Sequence, residues 1–211
     1  MDTLDGEGGV RDYNLERLIM LSDGVFAIAM TLLAFEVKPP EHWDGTAAGL
    51  LHGSGQLLIA YMISFLSIAG YWIMHRRNFS RFRRADTGLT LTNFLILGLV
   101  TLVPIGTRLI TDHPPFGEAT MIYVGLVASI GAANALQWGY AAFIGRGIID
   151  PSIPVPARIV ALLMLLFVPG TMTALGFMSG QDGHKWMIVP LFAFWAAIFI
   201  ARRYLRRQGL H

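Results

Sequence analysis

Cysteine is absent from the 211 residues, which excludes disulfides, thiolate metal sites and thiol catalysis. Charge is scarce: Asp, Glu, Lys and Arg make up 14% of the chain, against about 25% in an ordinary soluble domain. Enzyme signatures are missing too. There is no His-Glu-x-x-His, no Gly-x-Ser-x-Gly and no phosphate loop. The histidines, His42, His52, His75, His113, His184 and His211, are scattered and form no ligand cluster. No catalytic residue, metal site or cofactor is therefore expected, and the chain does not read as an enzyme. A carbonyl-lined filter of the Thr-Val-Gly-Tyr-Gly kind is also lacking, so any ion conduction would have to use side chains. The start carries Asp2, Asp5, Glu7, Asp12 and Glu16 and lacks the cationic opening and small-residue cleavage site of a secretory signal. The first helix is expected to be retained.

What the chain has in abundance is apolar length. Hydrophobic residues make up 54%, gathered into six stretches at about 17–38, 56–78, 87–110, 118–145, 156–178 and 185–207. Each can cross a hydrocarbon core of roughly 30 Å, which takes about 20 helical residues. The expected fold is all-α: residues 1–211 form one polytopic membrane domain of six helices, embedded in the cell membrane. Breakers punctuate it at Pro39-Pro40, Pro114-Pro115 and Pro151 to Pro156. Arg76, Arg77, Arg81, Arg83 and Arg84 fall between the second and third spans, and Arg202, Arg203, Arg206 and Arg207 follow the sixth. The opposite loops carry little beyond Lys38, Arg108 and Lys185. By the positive-inside rule both termini are cytoplasmic. Arginines set directly against helix ends suit topology and anionic lipid better than nucleic acid, which is not expected as a partner. Gly131, Ala135 and Gly139 put small side chains on one face of the fourth span, a pattern that permits close helix packing.

The first span carries the anomaly. Asp23 sits inside an otherwise apolar run from Leu18 to Phe35. A carboxylate costs roughly 2.5–3.5 kcal/mol at the bilayer centre on insertion scales, so such residues usually face protein or a water-filled path.

The run Arg17-x-x-x-Leu21-Ser22-Asp23-Gly24-Val25-Phe26-Ala27-Ile28-Ala29-Met30-Thr31-Leu32-Leu33 closely resembles the first-helix signature of the transmembrane protein 175 family. These are potassium-permeable channels of lysosomes and, as shorter six-helix versions, of prokaryotes. Leu21 stands where the family pattern has phenylalanine. The resemblance extends through Ser64-Phe65, Trp72-x-x-His75, Asn93, Pro104 and Thr107, over roughly residues 15–110. It implies a homotetramer in a prokaryotic inner membrane, with the first helix of each subunit lining a central pore and potassium as the permeant ion. It further implies an apolar constriction at Ile28, with layers at Leu32 and Phe35, and a role for Thr31 in potassium preference. Arg17, Ser22, Asp23 and Gly24 are then the structural motif.

Helix geometry is compatible with that assignment. At 100° per residue, Leu32, Phe35 and Thr31 lie about 40°, 20° and 60° from Ile28, whereas Asp23 lies about 140° away. If Ile28 faces a pore, Asp23 turns back into its own subunit, where His75 and Asn93 are the expected partners. Arg17, six residues before Asp23, is not at a helical pairing distance. Trp72 reads as an interfacial anchor or packing residue. An apolar helical face is by itself equally the mark of a core. The rival reading is a proton-coupled transporter or proton-conducting protein in which Asp23 and His75 titrate as a relay.

Overall fold

The computed structural model describes residues 12–38, 40, 43–114 and 117–179. The expected sixth span at 185–207, its arginine tail and the acidic first eleven residues lie outside the described residues.

α1, Tyr13–Leu32, opens on Asp12, whose Oδ1 accepts the Asn14 N–H at 2.9 Å and so satisfies one of the donors a helix start leaves unpaired. It tightens into a 3₁₀ turn, Leu33–Glu36, and Val37 is extended ahead of the two prolines. α2, Ala47–Phe79, starts where the Thr46 hydroxyl accepts the Gly49 N–H at 2.9 Å. It begins well before the expected 56, because the capping signal is at Thr46 and the following glycines do not stop the helix. Its 33 residues span about 50 Å, at 1.5 Å per residue, so the helix outruns the hydrocarbon core.

The expected third span, 87–110, is two helices. α3, Thr87–Thr101, is capped by Asp86 on the Leu89 N–H; α4, Val103–Asp112, follows after a break at Leu102. Pro104 has no N–H for the Val100 carbonyl, and its ring clashes with that carbonyl in a continuous helix. α5, Glu118–Gly139, ends in a π turn, Tyr140–Ile144. α6, Val155–Ser179, continues through Pro169. Tyr13–Glu36, Gly53–Phe79, Thr87–Asp112 and Glu118–Ile144 are each long and apolar enough to cross a membrane. Among the described residues every regular element is helical, apart from one isolated antiparallel bridge, Phe82 to Ile149.

That bridge shows which ends lie together. Arg83 N–H donates to Ile148 O at 2.7 Å and Asp150 N–H to Arg81 O at 3.0 Å, stapling the α2–α3 loop to the α5–α6 loop. Arg83 and Asp150 add an exposed ion pair at 3.1 Å. The Ser152 backbone N–H, then its hydroxyl and Arg83, hold the Asp150 carboxyl below its ordinary range. Asp12 Oδ2 accepts the Ala85 N–H at 3.3 Å, so the start of α1 sits at this same arginine-rich end.

The apolar core has two parts. One gathers Phe26, Ala29, Leu33, Ile68, Ile96 and Ile130; the other, nearer the stapled loops, gathers Leu15, Leu18, Phe79, Phe82 and Trp138. The small residues of α5 lie where the helices come closest. A Cβ on Gly131 would lie 3.0 Å from Pro169 Cδ and 3.2 Å from Tyr71 Oη, and Ala135 is buried. Gly131→Val should therefore overpack the α2–α5–α6 contact and destabilise the protein by about 1–3 kcal/mol. Thermal unfolding of the purified protein measures it, and an unchanged midpoint would show that α6 yields freely.

Candidate functional site

α1 divides lengthwise. Leu15, Leu18, Ser22, Phe26, Ala29 and Leu33 are buried, at helical spacing. On the other side Ile28, Leu32 and Phe35 are 58%, 43% and 77% exposed, and Thr31 and Gly24 are exposed with them. The residues expected at a constriction thus form one outward stripe of the protomer. Thr31 donates its hydroxyl hydrogen to Ile28 O at 2.8 Å, which leaves the lone pairs of its oxygen for a donor or a cation. A Cβ on Gly24 would meet nothing within 4 Å, so no contact inside the protomer requires glycine there.

Behind the stripe lies a buried polar cluster. The Ser22 hydroxyl donates to Leu18 O at 2.7 Å, and Asn93 Nδ2 donates to Ser22 Oγ at 2.9 Å. That fixes the Asn93 amide, because the Ser22 hydrogen is already committed. Asn93 Oδ1 consequently faces His75 Nε2 at 2.7 Å, which makes Nε2 the protonated nitrogen of the neutral ring. Gln137 Nε2 reaches the same oxygen at 3.4 Å. Phe79 stacks on the imidazole at 4.2 Å and Phe26 tilts against it at 5.5 Å. Ser22, Asn93 and Gln137 are fully buried and His75 nearly so, so α1, α2, α3 and α5 meet at one hydrogen-bonded point.

The motif carboxylate is placed differently from expectation. Asp23 is exposed on the protomer, and its Oδ1 accepts from Trp72 Nε1 at 2.8 Å. His75 and Asn93 are held by Ser22 instead. The reason is the 100° step between consecutive helical residues: with Ser22 pointing inward, Asp23 is swung to the flank facing α2. Trp72 is accordingly more than an anchor: it holds Asp23, and Arg76 lies over its ring at 5.0 Å. Arg17 pairs with neither; its guanidinium lies over the Tyr13 ring at 5.7 Å.

A second polar cluster sits deeper along α2. Ser64 Oγ lies 2.8 Å from Tyr123 Oη and 2.7 Å from Thr107 Oγ1, and Tyr71 donates to Val127 O at 2.7 Å. Ser64 and Thr107, singled out with Pro104, thus join α2 to α4 just past the Leu102 break. The sequence reading missed Gln137 and Tyr123, which lie beyond the recognised stretch. The signal that could have found Gln137 is an uncharged amide in the middle of an apolar span, which needs a partner there.

Residues 17–104 match the family described as endosomal/lysosomal potassium channel TMEM175. The chain is 38% identical over 136 residues to a protein of Chamaesiphon minutus named as a potassium channel, covering 62% of this chain and 67% of that one. It is 34% identical over 148 residues to a Streptomyces collinus protein named as a potassium channel, covering 67% and 70%. Its fold is similar to the crystal structure of a lysosomal potassium-selective channel TMEM175 homolog from Chamaesiphon minutus, at a TM-score of 0.69 and 30% identity, covering 90% of this chain and 97% of that one.

The two polar contacts of α1 should differ in weight. Asn93→Ala strips partners from three buried groups and should cost about 3 kcal/mol or more, at roughly 1–3 kcal/mol per orphaned group. Trp72→Phe removes one hydrogen bond to an exposed carboxylate and should cost about 1 kcal/mol. Thermal unfolding of the two variants side by side checks the order; a larger loss for Trp72→Phe would mean that Asp23, not Ser22, anchors the helix.

Proposed function

The chain belongs to the TMEM175 family, and from that premise we propose that it is a potassium-permeable cation channel passing ions passively through a central pore. Four copies assemble around an axis, each contributing the outward stripe of α1. Ile28, Leu32 and Phe35 form the apolar constriction. Thr31, its hydrogen turned to Ile28 O, offers oxygen lone pairs to a potassium ion as it sheds water. Gly24, open on the same side, lets the four helices approach. Closure is by dewetting of the apolar ring and opening by its widening, with no carbonyl filter.

The observation that carries the reading is the pairing of an exposed apolar stripe with a polar anchor directly behind it. A pore wall has to be oriented, and Ser22, Asn93 and His75 orient this one. The whole chain is then a single domain of six membrane helices in the cell membrane with both termini cytoplasmic. Arg76, Arg77, Arg81, Arg83 and Arg84 lie against the anionic cytoplasmic leaflet. The exposed Asp23, uncovered in a lone protomer, is shielded by a neighbouring subunit rather than by lipid, which would penalise it.

A proton-coupled relay through Asp23 and His75 is the second reading. It is favoured by the presence of two titratable groups, Asp23 and His75, near one end of the bundle. Their hydrogen bonds run to Trp72 and to Asn93, so the relay has no direct link. Liposome flux separates the two readings: a potassium gradient alone should drive flux through a channel, whereas a strict requirement for counter-moving protons would identify a transporter.

Ile28→Asn should raise basal cation current several-fold and weaken potassium preference in planar-bilayer recordings, because a polar ring wets more readily. Unchanged conductance would place the narrow point elsewhere. Asp23→Ala should chiefly reduce the yield of assembled oligomer; a variant that assembles normally yet loses potassium preference would move the carboxylate into the ion path.

A further inference from the structure

Arg17 takes no part in the polar anchor of α1. It lies exposed near the foot of the helix, its guanidinium over the Tyr13 ring at 5.7 Å. Among the described residues the ion pairs are Arg83 with Asp150 and Arg108 with Asp112, so no carboxylate of its own subunit holds it. The acidic groups nearby are occupied or turned away. Asp12 accepts the Asn14 and Ala85 N–H groups, and Asp86 accepts the Leu89 N–H and the Tyr140 hydroxyl. Glu16 points about 100° away around the helix. Beside Arg17 a groove of about 590 Å³ separates α1 from α3, lined at this end by Asn14, Asp86, Thr87 and Thr90, and it leaves the guanidinium room to stay hydrated.

Arg17 belongs by rotation to the outward stripe. It precedes Ile28 by eleven residues, which is three turns and about 20° on an α-helix, and about 16 Å toward the arginine-rich end. The acidic residues of α1 are set aside from that line: Glu16 lies about 120° and Asp23 about 140° from Ile28. Asp23 is moreover held by Trp72, over whose ring Arg76 lies. With Ile28 turned to an axis shared by four subunits, four guanidinium groups look toward the same axis at its cytoplasmic end.

Positive charge in that place acts on cations before they reach the constriction. Four unit charges about 8 Å from an ion in water, screened over a Debye length of about 8 Å, deplete a monovalent cation roughly threefold. The energy doubles with ionic charge, so a divalent cation is depleted roughly tenfold.

We propose that the four Arg17 side chains form a positively charged ring at the cytoplasmic mouth, which restrains outward potassium flux and keeps cytosolic divalent cations such as magnesium out of the constriction. The ring rests on the channel reading and adds a second determinant of what enters. Thr31 and the apolar layers act on an ion that is shedding water; Arg17 acts on one still hydrated. Potassium arriving from outside reaches the constriction before it meets the ring, so inward current is the larger.

Inside-out patches from cells expressing the full chain test this, in symmetric potassium chloride with magnesium chloride added to the cytoplasmic face. At about 0.05 M salt the wild-type current should be larger inward than outward, and at about 1 M, where the Debye length is about 3 Å, the asymmetry should fade. Arg17→Gln should raise the outward-to-inward ratio roughly threefold at low salt and let magnesium block at roughly tenfold lower concentration. Arg17→Lys keeps the charge without the planar fork and should keep both properties. A ratio and a magnesium sensitivity unmoved by Arg17→Gln would overturn the proposal, leave Arg17 an interfacial residue and leave the channel reading intact. Loss of both properties in Arg17→Lys as well would trace them to guanidinium packing and would also overturn it. Should Arg17→Gln not assemble, the wild-type salt series decides, since a symmetric current at low salt would sink the ring. Absence of any potassium current from assembled wild-type protein would instead refute the channel reading, and the ring with it.

Discussion

The fold turns on one short contact, the 2.9 Å hydrogen bond from Asn93 to the hydroxyl of Ser22. Everything else on α1 is either an apolar contact, which leaves a helix free to rotate by small steps, or an exposed side chain. A buried hydrogen bond has direction. Losing it leaves the Asn93 amide hydrogens unpaired in a medium that cannot hydrate them, so it penalises rotation of α1 more steeply than packing does. Ser22, rather than its charged neighbour, is the residue that sets which side of the helix looks outward.

The polar groups are not spread through the interior. They form two levels along α2: Ser64 with Thr107 and Tyr123, then His75 with Asn93, Ser22 and Gln137. Between them lies Ile68, fully buried in the apolar core. Each level ties α2 to a different half of the broken third span, the deeper one to α4 and the other to α3. The break at Leu102 therefore does not loosen the bundle, since each piece has its own hydrogen-bonded attachment.

How much of this was legible depends on the range of the interaction. That Ile28, Thr31, Leu32 and Phe35 share one face follows from helical period; that they form the outward side came through resemblance, and the burial of Ser22 and Phe26 opposite is a finding of the structure. Ser64, His75, Asn93 and Thr107 were singled out through resemblance, and the structure gathers them into the two clusters. Which partner each would take was not legible. Ser22 and Asp23 are adjacent and both polar, and only the rotational setting of α1 decides that the serine meets Asn93 and the aspartate meets Trp72. The third span reads as one hydrophobic run because hydropathy does not register a kink, although Pro104 marks where one occurs. The staple between Phe82 and Ile149 joins single residues far apart in the chain, and a pairing one residue long has no periodicity to announce it.

That staple bears on how force travels through the subunit. The two loops it clips share backbone hydrogen bonds, and the neighbouring Ala85 is in turn hooked by Asp12 at the foot of α1. Tugging on the α5–α6 linker from outside, as a docked protein or a shifted headgroup layer would do, is thus relayed through residues 81–85 to the base of the first helix. The clip between the loops is main chain and holds whatever side chains they display, whereas the hook at the foot of α1 is the Asp12 carboxylate.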